Sequence, residues 1–170
     1  MNNNILILYG SPHKNGNTNK LLNSFLKNLF YDKINIINAY EKSAHPCIDC
    51  KNCRKEAKCV FKDLNDFDNF IKSSNILIIA SPIYNHSLPS PLKAIIDRMQ
   101  RYYSEKIFLK TKNNYPPKKA FVLLSQGSDE NLEKEILSQI TPNLKLINTK
   151  SIEVFTLKAT DKNKNSNFHA

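Results

Sequence analysis

Glycine is scarce in this chain, with three among 170 residues, and this scarcity excludes two common phosphate-binding loops. The region after the first apolar segment contains only Gly10 and Gly16. The P-loop pattern G-x-x-x-x-G-K-[ST] fails because these glycines are one residue too far apart and Asn17, not lysine, follows the second. The dinucleotide fingerprint G-x-G-x-x-G fails because this region has no third glycine.

Long apolar runs and concentrated basic segments are also lacking. The chain begins Met-Asn-Asn-Asn without positive charge, and its first apolar run, 5–9, is too short for a signal or membrane helix. We therefore expect a cytoplasmic protein with no membrane segment. The formal charge is +10, but the lysines are scattered and form no basic helix. We expect no nucleic-acid partner, whereas anionic dinucleotides and acidic redox partners would be attracted.

Apolar segments alternate with helical patterns along the chain, which indicates one α/β domain. The segments with the composition of strands are 5–9, 33–38, 76–80, 120–124 and 151–157. Helices are predicted after residue 16, over 64–71, after Ser90 and over 132–140. Strands that alternate with helices form a parallel sheet, and ligand loops then lie at the carboxyl ends of the strands.

The loop 10–18 joins the first strand to a helix and is rich in hydrogen-bond donors. Apolar residues recur after it at helical spacing, so the loop lies at a helix N-terminus. Unpaired backbone N–H groups and the helix dipole favour an anion there. The side chains that can add hydrogen bonds are Ser11, Asn15, Asn17 and Thr18. Two interpretations remain from this loop alone: a site for a phosphate monoester, or an ordinary Asn-rich connection.

The segment after the third predicted strand has a more specific pattern. Residues 81–86 read Ser-Pro-Ile-Tyr-Asn-His, and a helix is predicted from Ser90, a good N-cap, with Pro91 in its first turn. These segments resemble the S/T-P-I-Y loop and the P-L-K-x-x-I-D-R helix of the flavodoxin-like NAD(P)H-dependent FMN reductases. The loop 10–18 is similar to the FMN-phosphate loop of that family, although His13 stands where the family often has arginine.

The resemblance implies a flavodoxin-like three-layer sandwich with a five-stranded parallel sheet in the order 2-1-3-4-5. We assign residues 1–157 to an FMN-binding domain that includes the cysteine-rich loop 45–62, and residues 158–170 to a polar C-terminal tail. FMN is then expected at the loops that follow strands one, three and four. The expected cofactor-binding residues are Ser11, His13, Asn15, Asn17, Thr18, Pro82, Ile83, Tyr84, Asn85, Ser125, Gln126 and Gly127.

The resemblance also implies an FMN-dependent oxidoreductase. No side chain is an obvious acid–base catalyst, so the chemistry is expected to be carried by FMN. The expected electron donor is NAD(P)H or reduced ferredoxin, and the expected acceptor is a small molecule or a protein. The family resemblance further implies a homodimer or homotetramer.

The four cysteines of the chain lie in one short run, Cys47, Cys50, Cys53 and Cys59, with the spacing C-x2-C-x2-C-x5-C. Closely spaced thiolates can converge on one cubane, although the fourth spacing is longer than in ferredoxins and lacks their proline. The run resembles the [4Fe–4S] motif of the iron–sulfur flavoproteins, a branch of the same family. A zinc site, which commonly has a longer spacer, and a reduced loop without metal are the alternatives, while disulfides are disfavoured in a reducing cytosol.

Two other functions compete with the enzyme. The first is a flavodoxin-type electron carrier with a protein partner, which the basic charge opposes because such carriers are often acidic. The second is a zinc-stabilised binding module, which a colourless protein with stoichiometric zinc would favour.

Overall fold

A computed structural model describes residues 3–111 and 114–162 of the chain. Five parallel strands form one sheet in the order β2-β1-β3-β4-β5, which confirms the predicted topology. The strands are β1 (Asn4–Tyr9), β2 (Lys33–Asn38), β3 (Ile76–Pro82), β4 (Lys118–Ser125) and β5 (Thr149–Leu157). Each predicted strand is present, and four of the five extend beyond the predicted ends.

The helices cover both faces of this sheet. They are α1 (Asn17–Lys27), α2 (Ala39–Lys42), α3 (Asn65–Ser73), α4 (Ser90–Arg98), α5 (Gln100–Ile107) and α6 (Glu133–Leu146), with a short 3-10 turn at Asn52–Arg54. The sequence did not predict α5, which begins directly after α4 with only Met99 between them. The prediction also ended α6 at Ile140, whereas the helix continues through Pro142 to Leu146 and buries Leu144 in the core.

Alternating residues of β1 divide the core into two layers. Ile5 and Ile7 face Leu22 of α1 together with Phe121 of β4. Leu6 and Leu8 belong to the other layer, which contains buried residues of α3, α4 and α6. A strand buried on both faces needs apolar residues at every position, which explains the continuous run in the sequence. The two layers hold the carboxyl ends of β1, β3 and β4 at one edge of the molecule.

The opposite edge of the sheet holds a buried lysine. Lys118 is 1% exposed, and its ammonium group donates to the carbonyl oxygens of Ser74 and of Ile71, the latter at 2.6 Å. Burial lowers the pKa of Lys118 to about 8. The lysine therefore caps the carboxyl end of α3. It lies at the start of β4, at the opposite end of that strand from the ligand loops.

The segment after β5 returns to the loop that follows β4. The backbone N–H of Ala159 donates to the carbonyl of Ser128 at 2.7 Å, and that of Thr160 donates to the carbonyl of Gln126 at 3.1 Å. Residues 158–162 of the predicted tail are thus described and packed here. The remainder of that predicted tail, 163–170, lies outside the described residues.

Candidate functional site

The ends of β1 and β3 meet where the first loop leaves the sheet. The backbone N–H of Gly10 donates to the carbonyl of Ala80 at 2.8 Å. A Cβ atom at Gly10 would lie 2.6 Å from Cδ2 of Leu92 and 3.0 Å from Oγ of Ser81. Leu92 is fully buried on α4, so glycine is needed here for the close approach of the chain to that helix.

Ser125, the last residue of β4, joins the three predicted loops. Its hydroxyl is 2.7 Å from the Thr18 hydroxyl, and its carbonyl accepts from the backbone N–H of Ile83 at 2.9 Å. Thr18 and Ser125 are 2% and 5% exposed, so both hydroxyls are shielded from water. If Ser125 donates within the pair, the Thr18 hydroxyl hydrogen remains available to an anion. The structure therefore brings together residues from all three predicted loops.

The start of α1 has the properties of an anion site. Gly16 is its N-cap and makes no side-chain capping bond, and the first turn contains no acidic residue. The first-turn N–H groups therefore keep their donor capacity and the positive end of the helix dipole. The loop is held in place because the Tyr9 hydroxyl donates to the His13 carbonyl at 3.2 Å and the His13 N–H donates to Ser11 Oγ at 3.3 Å.

The predicted residues of the first loop differ in exposure. Ser11 and Thr18 are buried, Asn17 is half-buried, and His13 and Asn15 are exposed. The exposed pair can reach a ligand from the solvent side, whereas the buried pair forms the floor of the loop.

The second loop is a two-residue turn. Tyr84 and Ser87 exchange two backbone hydrogen bonds of 2.9 Å, and Asn85 and His86 between them have φ angles of 48° and 60°. These angles suit asparagine, which tolerates the left-handed region better than most residues. The turn presents the Tyr84 ring, which is 41% exposed, at the edge of the site. Nε2 of His86 also lies 3.3 Å from a carboxylate oxygen of Glu130, which links this turn to the third loop.

The third loop contains a buried acceptor without a partner. Gln126 is 4% exposed, and its amide nitrogen donates to the Glu130 carbonyl at 2.7 Å. Its Oε1 atom has no hydrogen-bond partner among the described residues. Gly127 beside it is covered by the Asp161 carboxylate, which occupies the place of a Cβ atom. A ligand that carries an N–H donor would satisfy the Gln126 oxygen.

The three loops therefore fit the chemistry of FMN. The uncapped start of α1 suits a phosphate, and the free acceptor of Gln126 suits an N–H group of the isoalloxazine ring. Pro82 and Ile83 are buried beside these groups and provide an apolar wall.

The four cysteines line a second pocket, away from these loops. Cys47, Cys50, Cys53 and Cys59 all border a cavity of about 30 Å³, and none forms a disulfide. Cys47 and Cys50 are exposed, whereas Cys53 and Cys59 are half-buried. Arginines also border the cavity, namely Arg54, Arg98 and Arg101. Arg54 lies within the cysteine run and was predicted from the sequence to offset the charge of a cluster, whereas Arg98 and Arg101 reach the cavity from α4 and α5 and were not predicted there.

Arg98 of α4 holds the two ends of the cysteine-rich loop together. Its guanidinium donates to the His45 carbonyl at 3.1 Å and to the Phe61 carbonyl at 3.0 Å. It also pairs with Asp63 at 2.8 Å, and the Asp63 carboxylate accepts from the His45 N–H at 2.7 Å. The His45 and Phe61 rings stack at 4.5 Å, which closes the base of the loop. We call Arg98, Asp63, His45 and Phe61 the loop clasp.

The four thiols that line this pocket have the chemistry of iron–sulfur cluster ligands, since a cubane takes one thiolate at each iron, and the neighbouring arginines would offset the negative charge. Zinc takes the same type of ligand. Among residues 3–111 and 114–162, no three His, Cys, Asp or Glu side chains are grouped closely enough to hold one metal ion.

The parallel sheet, its order and the three loops at the carboxyl ends of the strands define a flavodoxin-like α/β protein with a nucleotide-type ligand site. Residues 3–158 match the family described as NADPH-dependent FMN reductase. The chain belongs to this family.

Curated relatives with similar sequences are named iron–sulfur flavoproteins. One from Archaeoglobus fulgidus is 31% identical over 98 residues, which cover 56% of this chain and 44% of that protein. One from Clostridioides difficile is 35% identical over 100 residues, or 55% of this chain and 44% of that protein. One from Methanosarcina thermophila is 29% identical over 126 residues, which cover 72% of this chain and 62% of that protein. The chain spans about half the length of the curated relatives it matches.

Solved structures share the fold. An NAD(P)H:quinone oxidoreductase from Methanothermobacter marburgensis has a TM-score of 0.75 at 18% identity, with 94% of this chain and 85% of that chain covered. An FMN-dependent NADH-azoreductase from Bacillus anthracis, in complex with FMN, has a TM-score of 0.62 at 16% identity, with 93% and 88% covered.

Arg98→Met is expected to lower the free energy of unfolding by about 3 kcal/mol, since it leaves the Asp63 carboxylate and two carbonyls without their partner. Chemical denaturation at pH 7 measures this change. Lys93→Met on the same helix is the matched control, because Lys93 forms an exposed ion pair with Asp97 and its loss should cost less than about 1 kcal/mol.

The pH dependence of this loss of unfolding free energy tests whether the ion pair between Arg98 and Asp63 causes it. Burial alone would raise the pKa of Asp63, but the Arg98 guanidinium and the His45 N–H outweigh it and lower that pKa. A lowered carboxyl pKa contributes stability that is complete above the unfolded value of about 3.9 and is lost as the pH falls through the folded value. The difference in unfolding free energy between wild type and Arg98→Met should therefore become smaller below about pH 4. A difference that stays constant down to pH 2 contradicts the role given to Asp63.

Proposed function

We propose that this protein is an FMN-dependent oxidoreductase that transfers electrons from NADH or NADPH to a small-molecule or protein acceptor. The observation that carries the proposal is the meeting of three loops around Ser125, beside an uncapped helix N-terminus. The family match and the relatives' names support the same function.

FMN, when bound, supplies an isoalloxazine ring that can take a hydride and release its electrons singly or in pairs. The chain's own residues bind and orient this group. The N-terminus of α1, with Ser11, Asn15, Asn17 and Thr18, is proposed to hold the phosphate, and His13 is proposed to add a contact from the solvent side. Gln126 is proposed to accept from the ring. Buried Pro82 and Ile83 exclude water on one side of it.

The remaining predicted contacts lie at the border of the site. The Tyr84 ring is exposed and can cover the flavin, and Asn85 positions it through the two-residue turn. Gly127 lets the third loop approach closely, since any side chain there would displace Asp161.

We further propose a [4Fe–4S] cluster held by Cys47, Cys50, Cys53 and Cys59, which would serve as a one-electron outlet. The shared pocket of the four sulfurs and its arginine wall support this assignment. The relatives named iron–sulfur flavoproteins agree with it. Within the part of the chain that the structure describes, no separate feature favours the flavodoxin-type carrier or the zinc module.

The protein is also proposed to be a cytoplasmic homodimer or homotetramer. Several large apolar side chains are exposed near the cysteine pocket and would be covered by a second copy: Ile48, Val60, Tyr103, Ile107 and Phe108. Among the described helices, none combines the length and the apolar character that a membrane span requires.

The test is anaerobic mixing of the FMN-loaded protein with NADH and, separately, with NADPH. Loss of the oxidised flavin absorbance with either nucleotide is the expected result. If neither nucleotide reduces the flavin whereas reduced ferredoxin does, the nicotinamide donor is wrong and ferredoxin takes its place.

A further inference from the structure

The 3-10 turn that carries Cys53 is docked on α5 by two contacts. The Cys53 thiol donates to the Ser104 hydroxyl, with Sγ and Oγ 3.2 Å apart. The Arg54 guanidinium lies over the Phe108 ring at 4.4 Å. Within the described residues, no comparable hydrogen bond is found at the sulfur of Cys47, Cys50 or Cys59.

Ser104 is held rigidly at this place. Residues on both sides of Ser104 in α5 are anchored by hydrogen bonds. The Tyr102 hydroxyl donates to the Asp68 carboxylate at 2.7 Å, and the Glu105 carboxylate accepts from the Tyr115 hydroxyl at 3.2 Å. Ser104 itself is 1% exposed, so its hydroxyl is shielded from bulk solvent. Its contact with Cys53 is therefore built into the packing of α5.

We infer that Ser104 is a positioning residue that sets the reduction potential of the proposed cluster through Cys53. The inference rests on the proposed [4Fe–4S] function. A thiolate that ligates iron has lost its proton and can only accept a hydrogen bond. The Ser104 hydroxyl, whose hydrogen can rotate, must then donate to that sulfur.

The sign of the effect follows from charge. One-electron reduction makes the cluster more negative, and part of that charge resides on its sulfur ligands. A hydroxyl that donates to the Cys53 sulfur stabilises this reduced state more than the oxidised state, which raises the potential. Removing the hydroxyl should therefore make the cluster harder to reduce.

The experiment is an anaerobic redox titration of the FMN- and cluster-loaded protein, followed by the EPR signal of the reduced cluster. At a fixed applied potential, Ser104→Ala should lower the ratio of reduced to oxidised cluster about tenfold, or about 59 mV for a one-electron couple. Ser104→Thr keeps the hydroxyl and should stay within about twofold of wild type. Ser138→Ala, which removes a helix hydroxyl on α6, is the control and should change nothing.

A second readout uses wild-type protein and does not depend on the Ala variant assembling a cluster. The Fe–S(Cys) stretching bands in resonance Raman spectra should shift between H₂O and D₂O, and Ser104→Thr should keep the shift. A wild-type cluster without this shift, or an Ala variant whose potential equals that of wild type, overturns the role of Ser104 alone. A wild-type protein that binds no iron overturns the cluster assignment, and this inference with it.

Discussion

FMN is expected to bind this protein at least about a hundredfold more tightly than riboflavin. The two ligands differ by the phosphate, which the uncapped start of α1 and the side chains of the first loop would bind. Two charge-assisted hydrogen bonds of about 1.5–3 kcal/mol each already exceed the 2.8 kcal/mol or so that a hundredfold ratio requires. Fluorescence titration of the apoprotein with each flavin measures the ratio.

Variants of the first loop test whether its side chains cause the preference for FMN over riboflavin. Asn15→Leu should weaken FMN binding about tenfold or more and leave riboflavin binding unchanged, because the proposed contact of the exposed Asn15 amide is with the phosphate. Thr18→Val should weaken both ligands, since it also breaks the contact with Ser125. Asn23→Leu, on the exposed face of α1, is the matched control and should bind FMN normally. Equal affinities of wild type for FMN and riboflavin would refute the phosphate site.

Cys53→Ala is expected to lose the iron and the broad visible absorbance of the protein while it retains FMN. A cubane takes one thiolate at each iron, so the loss of one cysteine from the set should release the cluster. The flavin loops lie elsewhere, around Ser125, so their ligand should remain. Iron analysis and flavin analysis of the same anaerobic preparation measure both cofactors.

The control for this variant is Ile48→Ala, which changes an exposed side chain of the same loop without removing a sulfur. It should keep its full iron content. A Cys53→Ala protein with the iron content of wild type would show that Cys53 is not a ligand. If reconstituted wild-type protein holds no iron and shows four titratable thiols, the cluster assignment is wrong. The cysteines then form a reduced loop without metal.

The sheet was predictable from the sequence because its central strands are buried on both faces. Apolar residues then occupy every position of 5–9 and 76–80, and the alternation with helices makes the sheet parallel. The loops at their carboxyl ends could be placed for the same reason. The order of the strands was predicted from the family resemblance. The flavin was predicted from the resemblance of the segment 81–98 to the FMN reductases, because strand patterns alone cannot indicate a ligand.

The contacts that assemble the site could not be predicted, because they join residues far apart in the chain. Thr18 and Ser125 are separated by 107 positions, and Arg98 lies 53 positions from His45. The sequence could not indicate the cysteine-rich loop as the partner of Arg98. No pattern of hydrophobic spacing encodes such pairs, since they depend on how the helices pack.

The helix α5 was missed for a local reason. It has no side-chain N-cap, and Met99 alone separates it from α4, so neither a stop signal nor a start signal marks the boundary. With that helix unpredicted, the hydroxyl of Ser104 beside Cys53 could not be anticipated. The turn at Asn85 and His86 was likewise placed in a loop, but its left-handed backbone was not foreseen.

The most direct test of the central proposal is a visible absorbance spectrum of anaerobically purified protein, combined with flavin, iron, sulfide and zinc analysis. We predict one FMN, four irons and four sulfides per chain, with flavin bands above a broad cluster absorbance. A colourless protein with one zinc per chain, or one with neither flavin nor metal after reconstitution, would contradict it.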